Sequence, residues 1–237
     1  MKAILLSYSQ MLRQMKKDPM LLVIAFVPVL VGLLFRFGIP LVEMQLINYL
    51  AIEHIISPYY GLLDLFLVML TPSMYNFVIA MVVLEEADER LISYLAVTPL
   101  GKTGYLLSRF GLTGIISMVM SIIVFALFHL ASINTAMLIG LAIVSTVQGV
   151  CSALLIVAFS ANKVEGMAVG KFTMLFTLGA LAPFLINEKA QYIFSVLPSY
   201  WLAKAVKESD YILIGIALFA VLMWMVLPTK RFNKKIA

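Results

Sequence analysis

Five charged side chains lie within six positions of an otherwise apolar chain: Glu85, Glu86, Asp88, Glu89 and Arg90. Only 12% of the 237 residues are charged, so this acidic segment is exceptional within the sequence. Carboxylates at this density support three kinds of chemistry. They can hydrate a surface loop, fix the register of a docked partner protein, or act as general acid and base in an active site. Their position relative to the rest of the chain decides among the three.

The composition is typical of a protein that resides in lipid. Hydrophobic residues make up 63% of the chain, and its mean hydropathy is +1.05. A soluble domain carries about a quarter charged residues and roughly half apolar residues. The single cysteine, Cys151, lies in an apolar run, which excludes a disulfide framework and a cysteine-based metal centre. We therefore expect an all-α integral membrane protein with no metal site of its own.

Six apolar stretches are long enough to cross a bilayer. The hydrocarbon core is about 30 Å thick and requires about 20 apolar residues in a helix. Residues 39–57 are also rather apolar, but burying Glu43 and Glu53 in lipid would be costly. We therefore predict that residues 39–57 lie at the outer surface as a helix or loop. The six predicted spans cover about residues 20–36, 62–84, 105–129, 135–160, 168–186 and 211–228.

The distribution of Lys and Arg predicts the side of the membrane on which each connection lies. Cytoplasmic connections carry an excess of these residues. With six spans and both termini inside, 13 of the 17 Lys and Arg residues fall on the cytoplasmic side. A seventh span would move the basic C-terminal segment "KRFNKK" outside. Both termini are therefore predicted to be cytoplasmic, and the acidic segment lies in the cytoplasmic connection between spans two and three.

Two cytoplasmic segments have the periodicity of amphipathic helices. In residues 1–18, apolar residues recur at helical spacing opposite a basic face, which is typical of a helix in the headgroup region. In residues 84–98, Glu86 and Arg90 have the i,i+4 spacing of a favourable ion pair. Pro99 ends this second helix. Its apolar face comprises Leu84, Ala87, Leu91, Tyr94 and Leu95.

The order of these parts resembles the permeases of type-2 ABC exporters. That family has a basic-Asp-Pro element before span one, matched here by "KKDPMLLVIAFVPVL". Its cytoplasmic segment has acidic residues, a leucine-containing run that ends in Thr-Pro, and then Tyr-x-x-x-Lys or Arg. These parts are matched by Glu85, Glu86 and Glu89, by "LISYLAVTP" and by "YLLSR". A broken outer helical hairpin between spans five and six is matched by "FSVLPSYWLAKAV". The chain departs from the pattern at Arg90, where the family commonly has glycine.

The resemblance implies the transmembrane subunit of an ATP-driven exporter in the plasma (inner) membrane of a bacterium or archaeon. It implies two ATPase subunits and a second permease, identical or homologous, as partners, with no nucleic acid. ATP and Mg²⁺ would be bound by the ATPase subunits, because this chain lacks the G-x-x-x-x-G-K-[ST] motif and has no catalytic residue or cofactor of its own. The substrate would be a hydrophobic or amphipathic drug, lipid or peptide. Residues 85–98 would form a coupling helix that contacts the ATPase through Glu85, Glu86, Asp88, Glu89, Arg90, Leu91, Tyr94 and Leu95.

Two other classes of protein remain open on the sequence. Intramembrane proteases of the CAAX-processing type have E-E-x-x-x-R and later F-x-x-x-H, which here would be Glu85, Glu86, Arg90, Phe125 and His129. In such a protease a glutamate activates water and histidines assist. The glutamates lie at the membrane rim, however, and His129 lies nearly a membrane thickness away at the far end of span three. The third class is a membrane scaffold or sensor without transport.

Three polar residues flank Pro72 within span two: Thr71, Ser73 and Asn76. Proline frees a backbone carbonyl group, which neighbouring hydroxyl groups can bind. These residues therefore either support a helix kink or contribute to a candidate substrate path.

Gln148 in span four is predicted to make an interhelical hydrogen bond. The predicted spans have no central Lys, Arg or Glu, which disfavours an ion-coupled transporter.

Overall fold

A computed structural model describes residues 2–50, 55–91, 94, 100–186 and 189–236. All regular secondary structure in these residues is helical. Six of the described helices are long and apolar enough to cross a membrane, which confirms the predicted fold class. They are called spans one to six below and comprise Pro19–Leu50, Ser57–Asp88, Gly101–Phe128, Thr135–Phe159, Lys163–Leu185 and Ile212–Phe232.

Shorter helices and local irregularities complete the described chain. An N-terminal helix, Lys2–Met15, precedes span one, and the helix of span six runs on to Ile236. Between spans five and six lie a 3₁₀-helix, Ala190–Val196, and an α-helix, Pro198–Glu208. Single π-turns interrupt spans one and three at Leu34–Gly38 and Leu107–Gly111. Span five is divided into Lys163–Thr173, Leu175–Leu178, Gly179–Leu181 and Ala182–Leu185.

Spans two and four form the centre of the bundle. Span two packs against spans one, three, four and five, and span four packs against spans two, three, five and six. Gly149 allows the two central helices to approach closely, because a Cβ at this position would lie 2.8 Å from the carbonyl oxygen of Pro72. Span one, in contrast, lies at the periphery, with only 17% of its most apolar stretch buried.

Both termini lie at the same end of the bundle. The ring of Phe232, near the C-terminus, packs edge-on against Phe110 at a centroid distance of 5.9 Å. The neighbouring Arg109 Nη1 donates a hydrogen bond to the carbonyl oxygen of Ser7 in the N-terminal helix, at 3.0 Å. This end is called the terminal end below, and the opposite end is called the distal end.

Span one is longer than predicted. Its helix does not end near residue 36 but continues through the π-turn to Leu50, so residues 39–50 continue the same helix; the location of residues 39–57 at the outer surface stays a prediction. The sequence underestimated its length because Glu43 interrupts the apolar run. The structure buries Glu43, whose carboxylate accepts hydrogen bonds from the amides of Ile56 and Ser57 and from the hydroxyl of Tyr60. A helix of 32 residues is about 48 Å long, which exceeds the bilayer core.

The two short helices between spans five and six are attached to both spans. Trp224 Nε1 of span six donates to the carbonyl oxygen of Val196 at 2.9 Å, and Ser199 Oγ donates to the carbonyl oxygen of Phe176 in span five. At the other end of the α-helix, Lys207 Nζ donates to the carbonyl oxygen of Pro183 at 2.5 Å. The outer hairpin inferred from the family pattern, as an element seated in the membrane, stays a prediction.

Candidate functional site

The acidic segment is divided between two elements. Glu85, Glu86 and Asp88 belong to the last turns of span two, whose α-helix runs from Tyr60 to Asp88. Arg90 follows with a φ angle of 58°, so the unbroken helix predicted for residues 85–98 is wrong at this position. Left-handed backbone costs a residue with a Cβ about 1–2 kcal/mol. Glycine adopts it freely, which gives a physical reason for the glycine of the type-2 permease pattern at this position.

Glu86 is the centre of a buried polar cluster at the terminal end. Its Oε1 lies 2.5 Å from Arg109 Nη2, and its Oε2 accepts hydrogen bonds from Arg109 Nε at 3.0 Å and from the Tyr105 hydroxyl at 2.6 Å. The guanidinium carbon also lies 5.1 Å from the centre of the Tyr105 ring. The predicted Glu86–Arg90 ion pair is therefore wrong: Arg109, 23 positions away, is the partner.

The same arginine attaches the N-terminal helix to this cluster. Arg109 Nη1 donates to the carbonyl oxygen of Ser7 at 3.0 Å and to its hydroxyl at 3.1 Å. Ser7, Glu86, Tyr105 and Arg109 are all buried and are called the buried hub below. The buried hub joins the N-terminal helix, span two and span three into one unit. Replacing one partner of such a buried ion pair costs about 3–5 kcal/mol, because the other charge is left buried without a partner.

Glu85 faces a different set of partners. Lys163 Nζ, at the start of span five, lies 3.1 Å from Glu85 Oε2 and 2.6 Å from Asp18 Oδ2. This three-residue contact, called the Lys163 bridge below, joins spans one, two and five. The hydrogen bond from Lys163 lowers the pKa of Asp18 below its ordinary value. Asp18 also caps span one by accepting hydrogen bonds from the amides of Met20 and Leu21.

The remaining charged residues of the segment are exposed. Asp88, Glu89, Arg90, Leu91 and Tyr94 project from the terminal end and are called the exposed tip below. Tyr94 is 68% exposed and Leu91 is 36% exposed, which leaves apolar surface beside the charges. Leu95, also expected to contact a partner, lies outside the described residues. The role of all these residues in binding a partner stays a prediction.

The three polar residues around Pro72 bind the backbone of their own helix. The hydroxyls of Thr71 and Ser73 donate to the carbonyl oxygens of Leu67 and Met69, and Asn76 Nδ2 donates to that of Pro72 at 2.8 Å. Pro72 has no amide hydrogen, so the carbonyl oxygen of Val68 lacks its usual helical partner. Ser121 Oγ of span three donates to this oxygen at 2.8 Å. Span three therefore supplies the hydrogen bond that proline removes from span two.

A cavity of about 350 Å³ lies between spans one, two, four and five. Of the three candidate path residues, Ser73 lines the cavity, whereas Thr71 and Asn76 do not. Gln148 also lines it, and its Oε1 lacks the interhelical hydrogen bond predicted from the sequence. The apolar part of the wall includes Phe35, Phe66, Phe77, Met69, Met74 and Met174, and its hydroxyl groups come from Ser73, Ser152, Thr173 and Thr177.

Spans two and five close this cavity toward the terminal end in three successive contacts. At Gly170 an added Cβ would lie 2.5 Å from Phe77 Cε2, and at Gly166 it would collide with Leu84. The glycines therefore allow two apolar side chains of span two to fill the space between the helices. Nearest the terminal end, Lys163 binds Glu85. These contacts at Lys163, Gly166 and Gly170 are called the seal below.

The residues of the alternative protease site are not brought together. Glu86 binds Tyr105 at the start of span three, whereas His129 follows the last residue of that span. The intervening 24 residues of helix extend about 36 Å. His129 stacks on Phe125, and its carbonyl oxygen accepts a hydrogen bond from Arg36 at 2.9 Å. Within the described residues, no three His, Cys, Asp or Glu side chains are grouped as metal ligands.

Comparison with known proteins identifies the family. The model of the family described as "Fluoroquinolones export permease protein Rv2686c-like" matches residues 11–227. Two Mycobacterium tuberculosis proteins are similar: fluoroquinolones export permease protein Rv2686c of strain ATCC 25618 / H37Rv and MT2760 of strain CDC 1551 / Oshkosh. Each is 26% identical over 197 residues, which cover 80% of this chain and 75% of the relative. No solved structure matches.

This family is consistent with the resemblance to type-2 ABC exporter permeases. The matched residues 11–227 include the seal, the cavity and three of the four residues of the buried hub. With its six spans, the chain is a multi-pass membrane protein. It belongs to the Rv2686c-like fluoroquinolones export permease family.

Proposed function

We propose that the chain is the transmembrane permease of an exporter for fluoroquinolone-type drugs, driven by two separate ATPase subunits that bind ATP and Mg²⁺. Both curated relatives are named fluoroquinolones export permeases. One observation carries the proposal: a cavity within the bundle is closed by a seal whose last contact, Glu85–Lys163, adjoins the exposed tip. A force applied to the tip would therefore act directly on the closure of the cavity.

The terminal end faces the cytoplasm in this proposal, and the membrane is the plasma membrane of a prokaryote. Support comes from the excess of Lys and Arg in the connections at that end, as the positive-inside rule requires. Cytoplasmic ATPase subunits would then meet the exposed tip directly. The second permease, identical or homologous, would complete the assembly, and the largely unburied span one offers apolar surface for it.

The exposed tip is the proposed contact with the ATPase. Asp88, Glu89 and Arg90 would fix its register by ionic contacts, while Leu91 and Tyr94 would insert apolar surface into the partner. Glu86 is a positioning residue in this scheme, because its carboxylate is buried against Arg109. Glu85 lies between the two roles, since it ends the seal and is partly exposed.

The strengths of the two ionic clusters determine which contact yields when the ATPase moves the tip. Separating the buried hub would leave the Glu86 carboxylate and the Arg109 guanidinium buried without partners, whereas a partly exposed pair such as Glu85–Lys163 contributes only about 0–1 kcal/mol and its groups can be hydrated when it opens. Spans two and three and the N-terminal helix therefore move as one body. The Lys163 bridge breaks first, and the seal opens between spans two and five.

The test is export in cells that produce this chain with its ATPase subunit. The variant Glu89→Lys reverses an exposed charge of the tip and should lower both ATPase co-purification and fluoroquinolone export. The matched control is Glu208→Lys, which reverses an exposed charge at the distal end and should leave both unchanged. Equal co-purification and export for Glu89→Lys and wild type would overturn the coupling role of the exposed tip. No difference in drug accumulation between producing and empty cells would overturn the export function itself.

A further inference from the structure

We propose that a second cavity, beside the N-terminal helix, holds one acyl chain of an anionic phospholipid whose head group is bound by Arg13, Lys16 and Lys17. This site is separate from the cavity between spans one, two, four and five. It binds a lipid of the surrounding membrane and requires neither the ATPase nor an exported substrate.

The second cavity measures about 190 Å³, lies between the N-terminal helix and spans one, two and three, and is called the N-terminal cavity below. Sites for drug-sized molecules typically measure about 300–1,000 Å³, so this cavity is better suited to part of a single hydrocarbon chain. Its wall contains no Asp, Glu, Lys or Arg among the described residues. The wall includes Tyr8, Met11, Leu12 and Met15 of the N-terminal helix, Ala25 of span one and Ile116 of span three.

A hydrocarbon chain is a physically suitable occupant of this space. Side chains around a void lack dispersion contacts on one side, and the methylene groups of an acyl chain supply such contacts. The flexible side chains of Met11 and Met15 can adapt to a chain of any conformation. The charged head group of the same lipid must stay outside, because the wall offers it no ionic partner.

The N-terminal cavity lies at the depth of lipid acyl chains and reaches the membrane-facing surface. Ile116 follows Arg109 of the buried hub by two helical turns, so this part of the wall lies about 10 Å from the hub toward the distal end. Ile116 is also 38% exposed, which places the wall at the outer surface of span three. A lipid chain can therefore enter from the side.

Three cations lie next to this cavity at the terminal end. The side chains of Arg13, Lys16 and Lys17 are all exposed. The amide of Lys16 donates a hydrogen bond to the carbonyl oxygen of Leu12 at 3.1 Å, so Lys16 lies one helical turn beyond a residue of the cavity wall. Clusters of Lys and Arg at a membrane surface attract anionic lipids. A phosphate group joined through glycerol to a chain in the cavity would lie within reach of these side chains.

Within the described part of the chain, the three cations make no ion pair with a carboxylate. Residues 1–17 contain no Asp or Glu. The next residue, Asp18, is already bound to Lys163 Nζ at 2.6 Å and to the amides of Met20 and Leu21. The positive-inside rule explains the sign of these charges but not their location beside an apolar cavity. An anionic phospholipid accounts for both features, because it joins a negative head group to an acyl chain.

The experiment titrates the purified full chain in detergent with one lipid at a time and counts bound lipid by native mass spectrometry. The probes are palmitoyl-oleoyl phosphatidylglycerol, which is anionic, and palmitoyl-oleoyl phosphatidylcholine, which has the same chains and no net charge. Glycerol 1-phosphate, which has no acyl chain, is added as a competitor to detect a simple phosphate site.

Two variants test the two parts of the site. Lys16→Gln/Lys17→Gln removes head-group contacts, and its control is Lys171→Gln/Lys230→Gln at exposed lysines of spans five and six.

Ala25→Phe fills the N-terminal cavity, and its control is Gly215→Phe, where an added side chain enters open space on span six. Ala25→Leu, a smaller substitution at the same position, replaces Ala25→Phe if the latter does not fold.

We expect Lys16→Gln/Lys17→Gln to weaken binding of phosphatidylglycerol about 10- to 30-fold, the loss of two lysine contacts, and to leave phosphatidylcholine unchanged. The control pair of lysines should change either affinity by less than about 3-fold. Ala25→Phe should weaken both lipids and Gly215→Phe neither. Glycerol 1-phosphate should not displace phosphatidylglycerol at equal concentration.

Equal affinity of wild type and Lys16→Gln/Lys17→Gln for phosphatidylglycerol would overturn the proposal, and so would an equal loss in the control pair of lysines. Wild-type lipid binding by a folded Ala25 variant, or displacement by glycerol 1-phosphate, would show that no chain occupies the cavity. Export takes no part in these measurements. Cells that fail to export fluoroquinolones would therefore leave the lipid site standing, and failure of the lipid site would leave the export function standing.

Discussion

Glu86 Oε1 and Arg109 Nη2 lie 2.5 Å apart in the buried interior of the terminal end, and Arg109 also binds Ser7 of the N-terminal helix. One ion pair, with the hydrogen bonds of its arginine, thus connects spans two and three and the N-terminal helix. Its neighbour Glu85 is bound to Lys163 on a separate element. The two consecutive carboxylates therefore have different roles: Glu86 holds spans two and three and the N-terminal helix together, whereas the contact of Glu85 with Lys163 can open.

Removal of the arginine tests the buried hub. Arg109→Met leaves Glu86 as a buried carboxylate without its cation, so the free energy of unfolding should fall by about 3–5 kcal/mol. Unfolding in detergent, followed by tryptophan fluorescence, measures this loss. In the double variant Glu86→Met/Arg109→Met no unpaired charge remains, so much of the stability should return. Arg90→Met, on the exposed tip, is the control and should change stability by less than about 0.5 kcal/mol. A stable Arg109→Met would mean that the pair does not hold the helices together.

Two substitutions of Asp18 separate its two roles. Asp18→Asn retains a good N-cap for span one but removes the charge that binds Lys163, whereas Asp18→Ala removes both. We expect Asp18→Ala to be about 1 kcal/mol less stable than Asp18→Asn, and Asp18→Asn to lie within about 1 kcal/mol of wild type. The measurement is unfolding at pH 7. Equal stabilities of the two variants would show that capping is unimportant here.

The lowered pKa of Asp18 predicts a pH dependence. A carboxyl group whose pKa is lower in the folded state stabilises that state above its unfolded pKa, near 4, and loses this contribution as pH falls through the folded value. The stability difference between wild type and Asp18→Asn should therefore be constant from pH 7 to about pH 5 and decline below about pH 4. Unfolding curves for both proteins between pH 3 and pH 7 measure it. A difference that grows on acidification would have the wrong sign.

Ser121 is predicted to stabilise span two only because Pro72 is present. Ser121→Ala leaves the carbonyl oxygen of Val68 without a donor, which should cost about 1–3 kcal/mol. Pro72→Ala restores a backbone amide that donates to the same oxygen, so Ser121→Ala should cost much less in that background. A double-mutant cycle of unfolding free energies measures the coupling between the two positions. Additive effects would contradict the proposed compensation.

The sequence predicted an all-helical protein with six apolar helices long enough to cross a membrane, because the thickness of the bilayer core sets the length of such a helix. It placed the end of the first helix too early, because the carboxylate of Glu43 interrupts the apolar run and its partners were not known. Here the partners come from residues 56–60, beyond the end of the helix. Local pattern alone could not identify them.

The sequence identified Glu86, Tyr105 and Arg109 separately but did not predict that they bind one another. The "YLLSR" motif contained Tyr105 and Arg109, yet helical spacing shows only which residues share a face, not which residue on another helix they bind. Local i,i+4 spacing therefore favoured Arg90 over the true partner of Glu86. The cavity could not be predicted from the sequence either, because it depends on how four spans pack together.

The central claim is that spans two and five separate at the terminal end during export. Its direct test replaces Glu85 and Lys163 with cysteine in a Cys151→Ala background and joins the new thiols with a short bifunctional methanethiosulfonate. Lys204 and Glu208, one turn apart on the helix Pro198–Glu208, are replaced in the same way as the control pair. The account predicts that cross-linking the Glu85–Lys163 pair stops fluoroquinolone export and that reduction restores it, while the control pair exports throughout. Undiminished export by the fully cross-linked Glu85–Lys163 pair would contradict it.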